Sequence, residues 1–467
     1  MSRAISILVV ALMVHGLSSS GASVYLVRPD GMGDFPTIQA AIDAAVDGDV
    51  IELADGTFFR DGNHDLDYRG KAITVRSESG NAAACVMDCQ RDAGRTHRGF
   101  VFHSGEGPGS ILEGITIRHG DCSDAFCMGG GIHCTMSSPH IQGCVIDRCA
   151  AYGVGGGVSC SGGSLAQFES CTFSDNGALY FGGGGYSHGS SPTFTHCTFI
   201  DNASGDGGGA LACDGGGDLV LLSCLFSGNG TQAATGGGGA LLCDGSTRCS
   251  VTDCRFVGNS SGGNYWGCGG AVSLQNASAV AFTRCTFAEN TGGYCGGAIY
   301  AVDSAPVLEL CTLTGNSAFM TGGAMCLSAS DLTVRGCTLI GNAAVEGSGI
   351  AWSDHLDLSW TIVAFGVWGE GILCGTGTAL LSCCDLYGNQ GGDWVGPIAE
   401  QSAIHNNISA DPLFCDRENE DFSLRADSPC APENNHYCNQ LGAWPVGCAE
   451  TPIETTTWGA VKAMFRR

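Results

Sequence analysis

From about Gly129 to Asn389 the chain is written in short alternating runs. Examples are SPHIQGC ending at Cys144, SPTFTHC ending at Cys197, APVLELC ending at Cys311 and DLTVRGC ending at Cys337. Strict alternation places every second side chain on one face, which predicts strands. Each run feeds a second signature, Cys-x-[Phe/Leu/Ile]-x-x-Asn, and then a third, Gly-Gly-[Gly/Ala]-aliphatic, as in Gly208-Gly209-Ala210-Leu211 and Gly296-Gly297-Ala298-Ile299. Between Pro36 and Val46 the period changes. Ile38, Ile42 and Val46 recur every fourth residue, which predicts a helix with Pro36 in its first turn.

Consecutive copies of the three signatures are about 22 to 31 residues apart, the length of one solenoid turn. Three short strands per turn, each stacked on its equivalent in the next, predict an all-β chain: a single-stranded right-handed parallel β-helix with an N-terminal helical cap. Coils about 4.8 Å apart stack like on like. One column holds Cys171, Cys197, Cys224, Cys254, Cys285, Cys311 and Cys337, with Ile115 and Trp360 where further members belong. Another holds Asn176, Asn202, Asn229, Asn259, Asn290, Asn316 and Asn342. Asn tolerates left-handed backbone, and its amide can bond the next Asn in the column. About eleven coils between Ile115 and Cys384 make a rod roughly 50 Å long.

The expected organisation is a leader over residues 1–22, a cap and first coil over 23–58, the β-helix over 59–410, a C-terminal cap over 411–450 and a tail over 451–467. The leader has Arg3, the apolar run AISILVVALMV and small residues at Ser20-Gly21-Ala22, as a secretory signal does. The C-terminal cap carries Cys415, Cys430, Cys438 and Cys448 and is read as disulfide-pinned. Trp458, Val461 and Phe465 leave a short amphipathic helix and a frayed end equally open for the tail.

Composition sharpens this picture. The 75 glycines, without collagen's triplet, fit a turn-rich repeat. A formal charge of −26, and no Lys or Arg from Cys149 to Thr247, argue against nucleic acid as partner. The 28 cysteines fit an oxidising compartment and lack zinc-site spacing. The cysteine column is open to two readings, free thiols packed as small hydrophobes or bridges between neighbouring coils. No segment after the leader is apolar enough to span a membrane.

Candidate chemistry is sparse. Asp175 and Asp201 fall at equivalent places in adjacent coils, about 5 Å apart, suited to a carboxylate pair or a Ca²⁺ ion. The alternative is a turn-forming role. Arg255 replaces the outward Thr of its strand and should project from the rod as a solvated arginine; Arg284 and Arg335 lie further on. The densest ionisable stretch is Arg118, His119 and Asp121, just before a Cys122–Cys127 insertion; it is read as a disulfide-closed surface loop, the alternative being a groove lined together with His133. His188 falls in the inward row of Cys134, Cys160, Cys213 and Cys243, as a core histidine.

The alternation of GGAL, GGAV, GGAI and GGAM with FSDN, FIDN, FSGN, FVGN and FAEN resembles the repeats of chlamydial polymorphic outer membrane proteins. That resemblance implies a surface-exposed β-helix linked to adhesion. The C-terminal barrel of that family is missing, so self-transport is not expected. DGMGDFPTIQAAI resembles the opening of pectin methylesterases and other pectin-lyase-like β-helices. The esterase signatures GxxDFIFG, QDT and GRPW are absent, so the esterase reaction is not implied. WSDH at Trp352–His355 shares three of four residues with the WIDH stretch of pectate lyases. The expectation is a secreted or cell-surface, non-enzymatic rod binding glycans or partner proteins along a flat Thr- and Ser-studded face. The alternative is a polysaccharide lyase or glycoside hydrolase of the pectin-lyase-like fold.

Overall fold

The computed structural model describes residues 21–89, 96–122, 127–232, 237–262, 267–277, 279–351, 354–375 and 377–448. The apolar leader core and the tail lie outside these residues.

One coil illustrates the rest. Gln167–Glu169 belongs to sheet 1, Thr172–Ser174 to sheet 2, Gly177–Ala178 to sheet 3 and Gly185–His188 to sheet 4. The chain then re-enters sheet 1 at Thr193–Thr195, parallel to and in register with Gln167–Glu169. Among the described residues the sheets hold 14, 13, 10 and 12 strands in this order. From the coil of Asp121–Cys122 to that of Val367–Trp368 each coil therefore has four strands where the alternation predicts three. The extra one has only two residues, too few to alternate visibly.

Both corners of sheet 2 use one left-handed residue, such as Ser170 (φ 52°) and Asp175 (φ 53°). The left-handed residue precedes the Asn rather than being the Asn, which corrects the expectation above. The Asn is freed for bonding. Asn202 donates from Nδ2 to the Phe173 carbonyl (2.9 Å) and to Asn229 Oδ1 (2.9 Å), and its own Oδ1 accepts from Asn176 N (3.1 Å). The same pattern continues to Asn342. The glycine clusters are steric: a Cβ on Gly183 would fall on the carbonyl oxygens of Ala203 and Gly209 in the next coil.

Inside, Phe173, Phe199, Phe226, Phe256 and Phe287 stack with centroids 4.6–4.9 Å apart. The cysteine column from Cys171 to Cys337 stays as buried free thiols. Each thiol donates to a carbonyl, as Cys224 Sγ does to Phe194 O (3.3 Å). Burial pushes the Cys144 thiol up to about 12. The column continues through Thr361, whose Oγ1 accepts from Cys337 N (3.3 Å); Trp360 is the corner residue before it. Bridges form at Cys122–Cys127, Cys243–Cys249, Cys268–Cys295, Cys383–Cys438 and Cys415–Cys448. Cys430 is free.

Helix α1, Ile38–Ala44, is shorter than the sequence pattern. Thr37 caps it, Ile38, Ala41 and Ile42 are buried, and Pro36 precedes the cap. Val46 lies past its end and is exposed.

The chain beyond Asp411 doubles back along the outer face of sheet 2. Trp444 Nε1 donates to Thr312 Oγ1 (2.8 Å), Ala443 N to Thr338 Oγ1 (3.0 Å), and the Arg417 guanidinium sits 4.1 Å over the Phe365 ring. Thr312 and Thr338 are consequently only 3% and 1% exposed. The flat Thr face expected from the sequence is therefore closed at this end. Trp444→Ala removes one bond and the cover over Thr312. It should lower stability by about 1–2 kcal/mol and speed protease cleavage between Asp411 and Cys448, read by limited proteolysis and mass spectrometry.

Candidate functional site

The open part of sheet 2 carries a ladder of charge. Arg118 pairs in register with Asp88 on one side and with Asp147 on the other, and Ser174 follows Asp147. These are outward positions, because Ile117, Ile146 and Phe173 between them face the core. The corner that follows each strand adds His119, Arg148, Asp175 and Asp201, all with left-handed backbone.

Asp88 organises the upper rungs. Arg118 donates Nε to its Oδ2 (2.9 Å) and brings a second nitrogen to the same oxygen (2.9 Å). His119 Nδ1 lies 3.0 Å from Oδ1. With Nδ1–H donated to Asp88, His119 Nε2 is the basic atom. One carboxylate thus holds a permanent cation and a titratable base side by side. Below it, Asp147 accepts from Arg148 Nε (2.8 Å) and from Ser174 Oγ (2.9 Å). Burial, and secondarily the Asp175 charge, raise the Asp201 carboxyl above its ordinary range.

A second charged row runs along the outward edge of sheet 1, across the corner from sheet 2. Arg76, Glu113, Gln142 and Glu169 occupy successive coils in register. Together with Glu78 they line a groove of about 520 Å³. Arg76 is held by Glu52, 2.6 Å from its guanidinium.

The sequence-derived candidates divide. Arg118 and His119 come together, on Asp88, which lies outside the repeat signatures of the sequence. Asp121 is buried, and its N–H donates to the His97 carbonyl (2.8 Å). His133 projects from sheet 4 against Ser159 Oγ (2.6 Å). Burial, then the Arg98 charge, lower its pKa to about 4, so it stays neutral. Arg255 does project from sheet 2, but it is half-buried rather than solvated; burial pulls its pKa down, opposed by the Glu420 charge on the returning segment. Arg284 is bound bidentately by Asp253 (2.7 and 2.8 Å), and Arg335 lies 3.5 Å from Glu309. These are pairs between adjacent coils on the surface. His188 is not in the inward row. Ser187 aligns with Cys160 and Cys213, and His188 faces out to Asp214 Oδ1 (2.6 Å). The run of four glycines before it hides the register. In the WSDH stretch, Trp352 and Ser353 lie outside the described residues, and His355 is exposed against Thr378 Oγ1 (2.8 Å).

The missed residues share one position. Asp88 and Asp147 close their sheet 2 strands, and Arg76, Glu113 and Glu169 fall near the ends of theirs in sheet 1. Aligning coils on the core residue, rather than on Cys or Asn, would have brought them out.

Residues 63–271 and 239–407 match the family model described as a right handed beta helix region, and the chain belongs to that family. Among solved structures it is similar to a point-mutant form of the PL6 family alginate lyase AlyGC. The TM-score is 0.51 at 13% identity, covering 92% of this chain and 58% of that one. The non-mutant AlyGC structure gives 0.49 at 11% identity over the same shares. The pectate lyase Pel9A gives 0.38 at 14%, covering 92% of this chain and 97% of that one. The chain thus spans little more than half the length of AlyGC, and at these identities the likeness is one of fold. No curated protein matches the sequence.

Proposed function

We propose that the protein is a secreted polysaccharide lyase whose substrate, a uronate-containing polymer, lies along the open part of sheet 2. The observation that carries this reading is the Arg118–Asp88–His119 arrangement. β-Elimination needs a cation on the uronate carboxylate and a base for the proton α to it. Arg118 and Arg148 supply the first, and His119 Nε2 the second. As that proton goes to His119, the electron pair forms the ring double bond. The bond to the leaving glycosidic oxygen breaks, and that oxygen takes a proton from water. Asp175 and Asp201 would hold a Ca²⁺ ion, which would supply positive charge for a substrate carboxylate; the Asp175 charge, which after burial helps to raise the Asp201 carboxyl, supports a cation there. The names of the similar structures, alginate and pectate lyases, support the substrate class. Five disulfides and the apolar leader support secretion. We take helix α1 as the N-terminal cap, since its apolar face is buried on the first coils.

A second reading is a rod that binds glycans or surface proteins without cleaving. It is favoured by the pairing of Arg118 and Arg148 within the chain, and by the likeness of the repeats to surface adhesins. The test is a screen of the purified protein on alginate, pectate and neutral glycans, with Ca²⁺ or chelator, reading unsaturated product. We expect cleavage of a uronate polymer, lowered on the order of 10²-fold in His119→Ala and Arg118→Ala. Retention on the polymer without product would support the binding rod, and neither would remove both readings.

A further inference from the structure

A separate cluster lies where the first two coils meet. His64 and Asp65 stand between Gly56–Phe58 and Leu66–Asp67, and His97 precedes Phe100–Phe102 one coil on. Asp65 has left-handed backbone (φ 53°). Its Oδ1 accepts from Arg98 N (2.8 Å), which turns Oδ2 to both imidazoles, 2.9 Å from His64 Nδ1 and 2.7 Å from His97 Nδ1. The rings are 3.8 Å apart, tilted by 34°. The histidine side chains are 11% and 24% exposed. One donor atom from each of the three residues can be chosen with all of them within 4.8 Å of one another. Asp61 Oδ1 lies 3.6 Å from His64 Nε2, on the far side of that ring.

We propose that His64, Asp65 and His97 form a binding site for a divalent first-row transition-metal ion, independent of the lyase reading. Two imidazoles and one carboxylate are the donor set such ions select, whereas Ca²⁺ takes oxygen. Donors at about 2.0–2.1 Å in a tetrahedron stand about 3.3 Å apart. Side-chain rotations opening the present 2.7 and 2.9 Å separations by roughly half an ångström would admit the ion. Asp61 is placed to take the second ring N–H of His64, the carboxylate–histidine–metal arrangement that orients a ligand. Asp65 Oδ1 is occupied by the Arg98 N–H, which leaves Oδ2 as the oxygen free to ligate. An ion there would tie the first coil to the second.

The test is calorimetric titration of the untagged, chelator-washed protein with Zn²⁺, and with Co²⁺ followed by visible absorption. We expect one ion per chain, a four-coordinate Co²⁺ spectrum and a raised Tm, none of them reproduced by Ca²⁺. His64→Gln and His97→Gln should each weaken Zn²⁺ binding at least tenfold. His188→Gln, at an exposed histidine elsewhere, should not. Native-like melting of the variants in chelator confirms that they fold. Absence of stoichiometric binding, or binding unchanged in the His64→Gln/His97→Gln double variant, overturns the site.

Discussion

Asn259→Ala lowers the unfolding free energy of the central coils by roughly 3–6 kcal/mol. Asn259 donates from Nδ2 to the Phe226 carbonyl and to Asn290 Oδ1, both at 3.0 Å. Its Oδ1 accepts from Asn229 N and Asn229 Nδ2, also at 3.0 Å. None of these groups reaches solvent, since Asn229, Asn259 and Asn290 are all 0% exposed. Alanine leaves a buried carbonyl, a buried N–H and two buried amide groups short of a partner, at about 1–3 kcal/mol for a group left fully unsatisfied. Coils contact only their neighbours, so the loss is local: hydrogen exchange should accelerate around Phe226, Asn229 and Asn290 and stay unchanged near Val75. Thr198→Ala, on the outward column, should shift stability by less than about 0.5 kcal/mol. A loss under about 1 kcal/mol in Asn259→Ala would mean that water enters the column and the amide ladder is not what closes this corner.

That ladder was readable in the sequence for a physical reason. A parallel coil repeats its environment, so a residue that suits one level suits the next, and Cys, Phe and Asn recur in step. Features not tied to the repeat left no such trace. The Asp88–Arg118–His119 group joins two adjacent coils, and Asp88 precedes the region where the signatures start. Ser187, not His188, takes the inward place, and the glycines before it carry no apolar mark that would fix the register in the sequence. The returning segment contacts sheet 2 across 105 and 132 residues of sequence, as in Ala443 to Thr338 and Trp444 to Thr312. Nothing local announces such contacts. They matter to the site all the same, because they cover Thr312 and Thr338 at one end of the sheet and leave the Asp88 end open.

Asp385→Asn should flatten a pH dependence built into that same returning segment. Asp385 lies on the outward side of the last sheet 2 strand, Asp385–Tyr387, and is 0% exposed because the segment covers it. Its Oδ1 accepts from Ala410 N (3.0 Å), and the Cys430 thiol donates to Oδ2 (3.2 Å). Burial raises its pKa to about 7. The two hydrogen bonds oppose the rise, and the Asp393 and Asp411 charges add to it. A carboxyl whose folded pKa lies above its unfolded value favours folding while protonated. Its contribution is fully present below about pH 4, is lost as pH rises to about 7, and stays lost above. About three units correspond to roughly 3–5 kcal/mol. Other carboxyls, such as Asp49 and Asp65, have lowered pKa values and slope the opposite way, so the diagnostic quantity is the difference between wild type and variant. Denaturant melts from pH 4 to pH 8 should show Asp385→Asn gaining steadily on the wild type and exceeding it at pH 8. A constant difference across that range would mean that Asp385 titrates normally. A rising one would mean that ionisation of this single carboxyl, held by Ala410 N and the Cys430 thiol, costs the fold stability as pH rises.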